Sequence, residues 1–241
     1  MRALTQDRLL RGWEDAVGRT PTARAVALAA AAGGHTGEQA GDLPLGTRDA
    51  LLADLRDACF GGDLDCLARC PACGAELEVA VPPADLRGPA APVPAEAVLE
   101  AGGHRVRYRA LTSRDLLAVG PAPVPAAEAR RRLVARCVLD VDGTPPADGT
   151  LPEPVFTAVA EALPALDPRA DIRLDLTCAV CAHVWAAPVD VAAHVWADVD
   201  ACARGLLADV HVLARAYGWH EEEILALSPA RRRFYLEAVG A

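Results

Sequence analysis

Cys70-Pro71-Ala72-Cys73-Gly74 and Cys178-Ala179-Val180-Cys181-Ala182 are the two stretches on which the fold turns. A Cys-x-x-Cys turn sets two soft thiolates close enough to share one ion, and two such turns complete a tetrahedral shell. Pro71 fixes the first turn, and Gly74 can take the positive φ that the position after the second cysteine often needs. Ala182 fills the equivalent slot of the second turn, a mild departure. Cys70, Cys73, Cys178 and Cys181 are therefore expected to hold one structural Zn2+. Between Cys73 and Cys178 lie 104 residues, far more than the roughly 15–20 of a compact ribbon, so the site would be split along the chain. Loop-closure cost grows only logarithmically with length, and a metal that closes a long loop pins distant halves of a fold together.

Strand patterns flank both turns. Leu77, Val79 and Val81 alternate with Glu76, Glu78 and Ala80, and Pro82 and Pro83 end that strand. Ile172, Leu174 and Leu176 alternate with Asp171, Arg173 and Asp175, and residues 184–189 lead away from the second turn. A further strand carries Val106, Tyr108 and Ala110 on one face and Arg105, Arg107 and Arg109 on the other. Residues 88–94, rich in Pro, Ala and Gly, read as an irregular connection.

Outside these strands the periodicity is helical. Leu9, Leu10, Trp13 and Val17 recur at three to four residues; Thr20 and Pro21 then open a second helix that runs through Ala30. Residues 46–60 carry a stripe of Leu51, Leu52, Leu55 and Cys59, stopped by Gly61 and Gly62. Thr112 and Asp115 form a capping box for a short helix. A proline-rich gap at 121–125 precedes a helix through Leu133 and Cys137; residues 140–154 read as a loop and 155–163 as a helix. Val195, Val199, Cys202, Leu206, Val210, Leu213 and Tyr217 mark the longest helix, ended by Gly218. Residues 221–227 and a helix opened by Ser228 and Pro229 complete the chain.

The expected fold is α+β, mostly helical, with a small split zinc-ribbon β element at the centre. Its expected divisions are an N-terminal helical region (1–62), the first knuckle and strands (63–110), a helical insertion (111–170), the second knuckle hairpin (171–190), and the long helix with its tail (191–241).

Composition limits the function. All 24 basic residues are arginine, and the formal charge of -9 with a pI near 5.1 opposes a phosphate backbone, so nucleic acid is not expected as a partner. Residues 1–13 lack the uninterrupted apolar run of a secretory signal, and the longest weakly apolar stretch, 23–32, is about half of a membrane span. A soluble cytoplasmic protein is expected, in which cysteines read as metal ligands or buried thiols sooner than disulfides. Cys59, Cys66, Cys137 and Cys202 read as buried small apolar residues. His183 could replace a thiolate, but four cysteines already fill the shell. A thioredoxin-like redox pair fares worse, because both turns are followed by strand and not by helix; thiols that stay reduced without metal are the bland reading. No nucleophile elbow or phosphate loop is found, and a four-thiolate ion keeps no open position for water. The chain reads as a non-enzyme.

Leu43-Pro44-Leu45-Gly46-Thr47-Arg48-Asp49, Cys70-Pro71-Ala72-Cys73-Gly74, Leu176-Thr177-Cys178, His183-Val184-Trp185, Tyr217-Gly218-Trp219 and Ile224-Leu225-Ala226-Leu227-Ser228-Pro229 resemble proteins encoded with extracellular contractile injection systems. Those proteins are similar to the baseplate hub assembly chaperones of contractile-tailed phages. The resemblance implies a non-enzymatic assembly chaperone or minor baseplate component that engages hub or spike proteins, with possible incorporation in a phage tail-like particle. It transfers no catalytic residue. Trp219, Arg231, Arg232, Arg233 and Tyr235 combine aromatic anchors with arginines, the residue types enriched where interfaces gain most energy, and are the expected partner surface. A core-packing role for Trp219 competes with that reading. The alternatives are a nucleic-acid-binding zinc-ribbon regulator and an enzyme carrying the ribbon as an insert.

Overall fold

The computed structural model of the protein describes residues 4–87, 92–120 and 124–240. Parts of the connections expected over 88–94 and 121–125 lie outside these residues. Helix α1 (Gln6–Ala16) starts at Thr5, whose hydroxyl accepts from the Arg8 amide, and turns Leu9, Leu10 and Ala16 inward. Helix α2 (Pro21–Gly33) opens on the Thr20 cap and ends at Gly34, in the left-handed region at φ 67°. Helix α3 (Gly37–Asp42), opened by a Thr36/Gln39 capping box, leads into α4 (Leu45–Cys59).

Strands β1 (Leu64–Arg69) and β2 (Glu76–Val81) make an antiparallel hairpin around the first cysteine turn. Short helix α5 (Pro83–Arg87) follows. Next come β3 (Ala97–Ala101), β4 (His104–Tyr108), α6 (Ser113–Val119), α7 (Ala126–Cys137), β5 (Val138–Val141) and α8 (Glu153–Leu166). Strands β6 (Arg173–Thr177) and β7 (Val184–Pro188) make the second hairpin. Helices α9 (Val191–Tyr217), α10 (Glu221–Leu225) and α11 (Pro229–Ala238) complete the described chain. The fold is thus mixed α+β and mostly helical, with a β element split between two distant hairpins.

Two apolar cores organise these elements. The larger joins Leu9, Leu10, Leu28, Leu52 and Leu55 of the N-terminal helices to Leu64 and Val81 of the first hairpin and to Val191, Val195, Val199 and Leu206 of α9. Each such side chain contributes about 1.5–3 kcal/mol when fully buried, so α9 is the spine on which hairpin and helices meet. The smaller core packs Val106 and Tyr108 of β4 against Val134 of α7, Val138 of β5, and Val155 and Val159 of α8. Strand β5 pairs with β4, giving the sheet order β3-β4-β5. The division expected at residue 110 therefore cuts through one sheet-and-helix unit, because Val138–Val141, which follow the expected helix and reach into the expected loop, pair as a strand instead.

Polar side chains tie the pieces together. Arg56, 7% exposed, donates to the carbonyls of Gly61, Gly62 and Asp63 and to Asp198 of α9 at 2.9 Å. One guanidinium thus satisfies the loop into β1 and fixes it to the spine, as its five-donor fork permits. The first turn of α4 has Pro44 at its cap and no side-chain cap of its own. Asp167, from the far end of the smaller core, supplies one: its Oδ2 accepts from the Gly46 amide at 2.8 Å, where the helix N-terminus favours negative charge. A Cβ at Gly46 would overlap Asp167 Oδ1 and Arg169. Gly46→Ala is accordingly expected to destabilise the protein by about 2 kcal/mol, the cost of overpacking a fixed site, and chemical denaturation checks this.

Candidate metal centre and partner surface

The two cysteine turns are near copies of each other. In the first, the Cys70 amide donates to Ala75 O and the Gly74 amide to Cys70 O, each at 2.9 Å; in the second, Cys178 donates to His183 O and Ala182 to Cys178 O, again at 2.9 Å. The Arg69 side chain donates to Gly74 O and braces the first turn. Both turns need positive φ after the second cysteine: Gly74 takes 77°, and Ala182 takes 57° against the steric preference of an L residue. Ala182→Gly is therefore expected to raise stability by about 1 kcal/mol without changing metal content; thermal unfolding of the metal-loaded protein checks it.

The turns bring all four predicted ligands together. Cys70 Sγ lies 3.7 Å from Cys181 Sγ, and Cys73 Sγ lies 3.6 Å from Cys178 Sγ; the four sulfurs lie within 4.8 Å of one another. Each close pair joins one hairpin to the other, so the cluster is a clasp between chain segments 105 residues or more apart. Cys70 and Cys178 are buried, while Cys73 and Cys181 face outward. Four cysteines this close can hold one metal ion.

As thiols, Cys178 and Cys181 do not ionise alike. The Cys181 amide draws Cys178 down to about 7. The His183 amide favours a Cys181 thiolate, yet the hydrogen bonds shared with Cys73, Cys178 and Cys70 push it up to about 12. A dication relieves this competition by taking all four as thiolates, so metal is expected to be held at neutral pH and lost on acidification as protons replace it.

The other cysteines and histidines stay outside the cluster. His183 stacks on Trp185 at 6.0 Å. His194 Nε2 meets Cys66 Sγ at 3.6 Å. Cys137 is fully buried, and burial pushes its thiol up to about 12; Cys59, Cys66 and Cys202 are only half-buried.

The arginine-rich face of β4 is largely spent on internal pairs. Arg107 bridges Asp140 and Glu96 at 2.8 and 2.6 Å, and Arg109 donates twice to Asp115. Asp115 is 0% exposed and also accepts from Arg136, the Thr112 amide and the Thr112 hydroxyl. The alternating arginines carry the sequence signal of a basic face, but carboxylates neutralise two of the three, Arg107 through Glu96 and Asp140 and Arg109 through Asp115.

At the C-terminal end, Trp219 stacks on Tyr217 at 4.7 Å and meets Tyr235 edge-on at 4.9 Å. Phe234, not singled out from sequence, is 66% exposed and touches Tyr235. Arg231 and Arg233 are exposed. Arg232 is not: it is 9% exposed and donates to Asp209 of α9 at 2.8 Å and Gln6 of α1 at 2.6 Å. This corrects the expectation that all three arginines face a partner. Helical rotation of about 100° per residue places consecutive residues on different faces, and Arg232 falls on the inner one, where it docks α11.

No protein-family model, curated protein or solved structure matches the chain. No helix among the described residues is long and apolar enough to cross a membrane.

Proposed function

We propose that the protein is a non-enzymatic assembly chaperone or minor component of a contractile injection system baseplate, that it binds hub or spike proteins, and that its four cysteines hold zinc. A tetrahedral ion with metal–sulfur bonds of about 2.3 Å separates its sulfurs by about 3.8 Å; the close pairs at 3.6 and 3.7 Å suit that geometry. Four thiolates close the coordination shell and leave no position for a substrate or activated water, which makes the ion's role structural.

The observation that carries the binding role is the C-terminal surface. Phe234 projects beside the Tyr217, Trp219 and Tyr235 cluster, flanked by exposed Arg231 and Arg233. A rigid aromatic group with arginines at its rim matches the chemistry of interface hot spots, and Arg232 holds the helix that presents it. The protein acts in the cytoplasm during assembly and either leaves the baseplate or is retained in the particle.

Co-purification from the native host, with metal content measured on the same sample, tests this reading. Hub or spike proteins recovered with about one zinc per chain support it. Recovery of nucleic acid, or of no partner, with zinc still present contradicts the function while leaving the metal site intact. Phe234→Ala, on an exposed position, is expected to reduce partner recovery by about tenfold, the effect of a hot spot of moderate strength.

A further inference from the structure

The two hairpins leave a pair of strand edges free. In the first, the Cys70 amide donates to Ala75 O and the register pairs Arg69 with Glu76. Bonded and non-bonded pairs alternate along an antiparallel ladder, so the backbone groups of Leu77, Val79 and Val81 face β1, and those of Glu76, Glu78 and Ala80 face away from it. In the second hairpin, Cys178 donates to His183 O and Val189 donates to Ile172 O. The same alternation leaves the amides and carbonyls of Arg173, Asp175 and Thr177 facing away from β7.

Between these edges lies a groove of about 580 Å3. Its walls are consecutive residues of β2 and β6 with the start of α5, and neither β1 nor β7 contributes. Consecutive residues, not alternate ones, line it, as expected of strands meeting edge to edge. The hairpins are separate sheets, and no backbone hydrogen bond joins β2 to β6 among the described residues.

The groove has a defined chemistry. Half-buried Val79 and Leu174 sit on the side that packs against the larger core. Asp85 and Asp175 line the groove, are exposed, and form no ion pair among the described residues. The one arginine in the groove, Arg173, is taken by Asp171 at 2.9 Å. A divalent ion held by four thiolates where the turns meet would leave net negative charge at that end.

We propose that the groove between β2 and β6 is a docking site for an extended polypeptide segment of alternating basic and apolar residues, which adds as a strand between the two hairpins. Strand addition takes its affinity from main-chain hydrogen bonds and its specificity from alternate side chains. The apolar residues of the segment pack toward Val79 and Leu174, and the basic ones lie beside Asp85 and Asp175. An exposed pair of edges is otherwise a route to aggregation, and charged edge residues repel other acidic edges while admitting a basic one. This site is separate from the C-terminal aromatic surface and does not depend on the baseplate reading.

Fluorescence anisotropy of the full-length, metal-loaded protein with a short labelled lysine–valine alternating peptide tests the proposal. Saturable binding is expected, weakened by added salt. Methylating alternate peptide amides should weaken it at least about tenfold, because both edges of the inserted strand are used. On the protein, Ala80→Pro removes an amide that faces the groove and spares the groups paired with β1, and Asp175→Lys reverses a wall charge; each should cost at least about tenfold with the circular dichroism spectrum unchanged. Absence of binding by the parent peptide, equal binding by its methylated form, or preference for a glutamate–valine peptide would overturn the proposal. So would self-association that Ala80→Pro abolishes, since the groove would then belong to a second copy of the chain.

Discussion

Cys178→Ser is expected to lower the stability of the protein by at least about 4 kcal/mol and to abolish its response to chelators. An ion that binds the folded chain at a thousandfold excess over its dissociation constant stabilises by that amount, and removing one thiolate of four forfeits most of it. The loss should be local before it is global. Strands β1 and β2 form one isolated hairpin, and β6 and β7 another; two-stranded hairpins are marginal in water on their own. The clasp of Cys70 to Cys181 and Cys73 to Cys178 holds their tips together. Hydrogen exchange is therefore expected to speed up across both hairpins in the variant. It should change little in the sheet of β3, β4 and β5, whose core is built from Val106, Tyr108, Val134, Val138, Val155 and Val159. Chelator treatment of the wild type should reproduce the pattern, and chelator added to Cys178→Ser should do nothing further.

The second large effect belongs to Asp115. Asp115→Asn is expected to cost about 3 kcal/mol, within the range for breaking a buried ion pair from one side. The carboxylate is fully buried, with Arg109 and Arg136 donating to it at 2.7–3.0 Å. Asparagine keeps the shape and can still accept from Thr112, but leaves two guanidinium groups facing a neutral amide. Burial pushes the Asp115 carboxyl upward, and the bonds from Arg109 and Thr112 more than offset it, so the net direction is downward from the usual carboxylate range. A carboxyl lowered in the folded state binds fewer protons there than in the unfolded chain. Its stabilisation is complete above the unfolded value of about 3.9 and is lost as pH falls through the folded value. Denaturation curves below about pH 4 should thus fall more steeply for the wild type than for Asp115→Asn, which has already lost this contribution.

Much of this architecture is legible in the sequence because it is local. The cysteine spacing specifies both turns, the Thr112/Asp115 capping box appears as expected, and the long helix ends at Gly218 in the left-handed region. Strand β1 escapes such reading because its alternation is blurred: Leu67 projects outward at 75% exposure, opposite Leu64, Cys66 and Ala68, so the apolar pattern runs without a clear period. Strand β5 is hidden by following α7 without a break, Cys137 ending one and Val138 starting the other. Its strand identity comes from pairing with β4, which no local pattern encodes.

The polar contacts are the least visible from sequence. Arg56 reads as one charged residue on an amphipathic helix, and Asp167 as one of several loop carboxylates. Their partners, Asp198 and Gly46, lie 142 and 121 residues away. Arg232 shows the same limit at the candidate partner surface: a run of three arginines looks like one basic patch, whereas the helix turns the middle one into an internal strut. At the candidate metal centre the two Cys-x-x-Cys turns single out four soft donors in the sequence, and the fold brings those four sulfurs within 4.8 Å of one another.

The measurement that tests the central claim most directly is metal stoichiometry by native mass spectrometry on the wild type and on the Cys178→Ser/Cys181→Ser double variant. The expected result is one zinc ion per wild-type chain and none on the variant, with all thiols of the wild type reduced. A variant that still carries zinc, or a wild type that carries none and shows disulfides between the two turns, would contradict a shared four-cysteine centre.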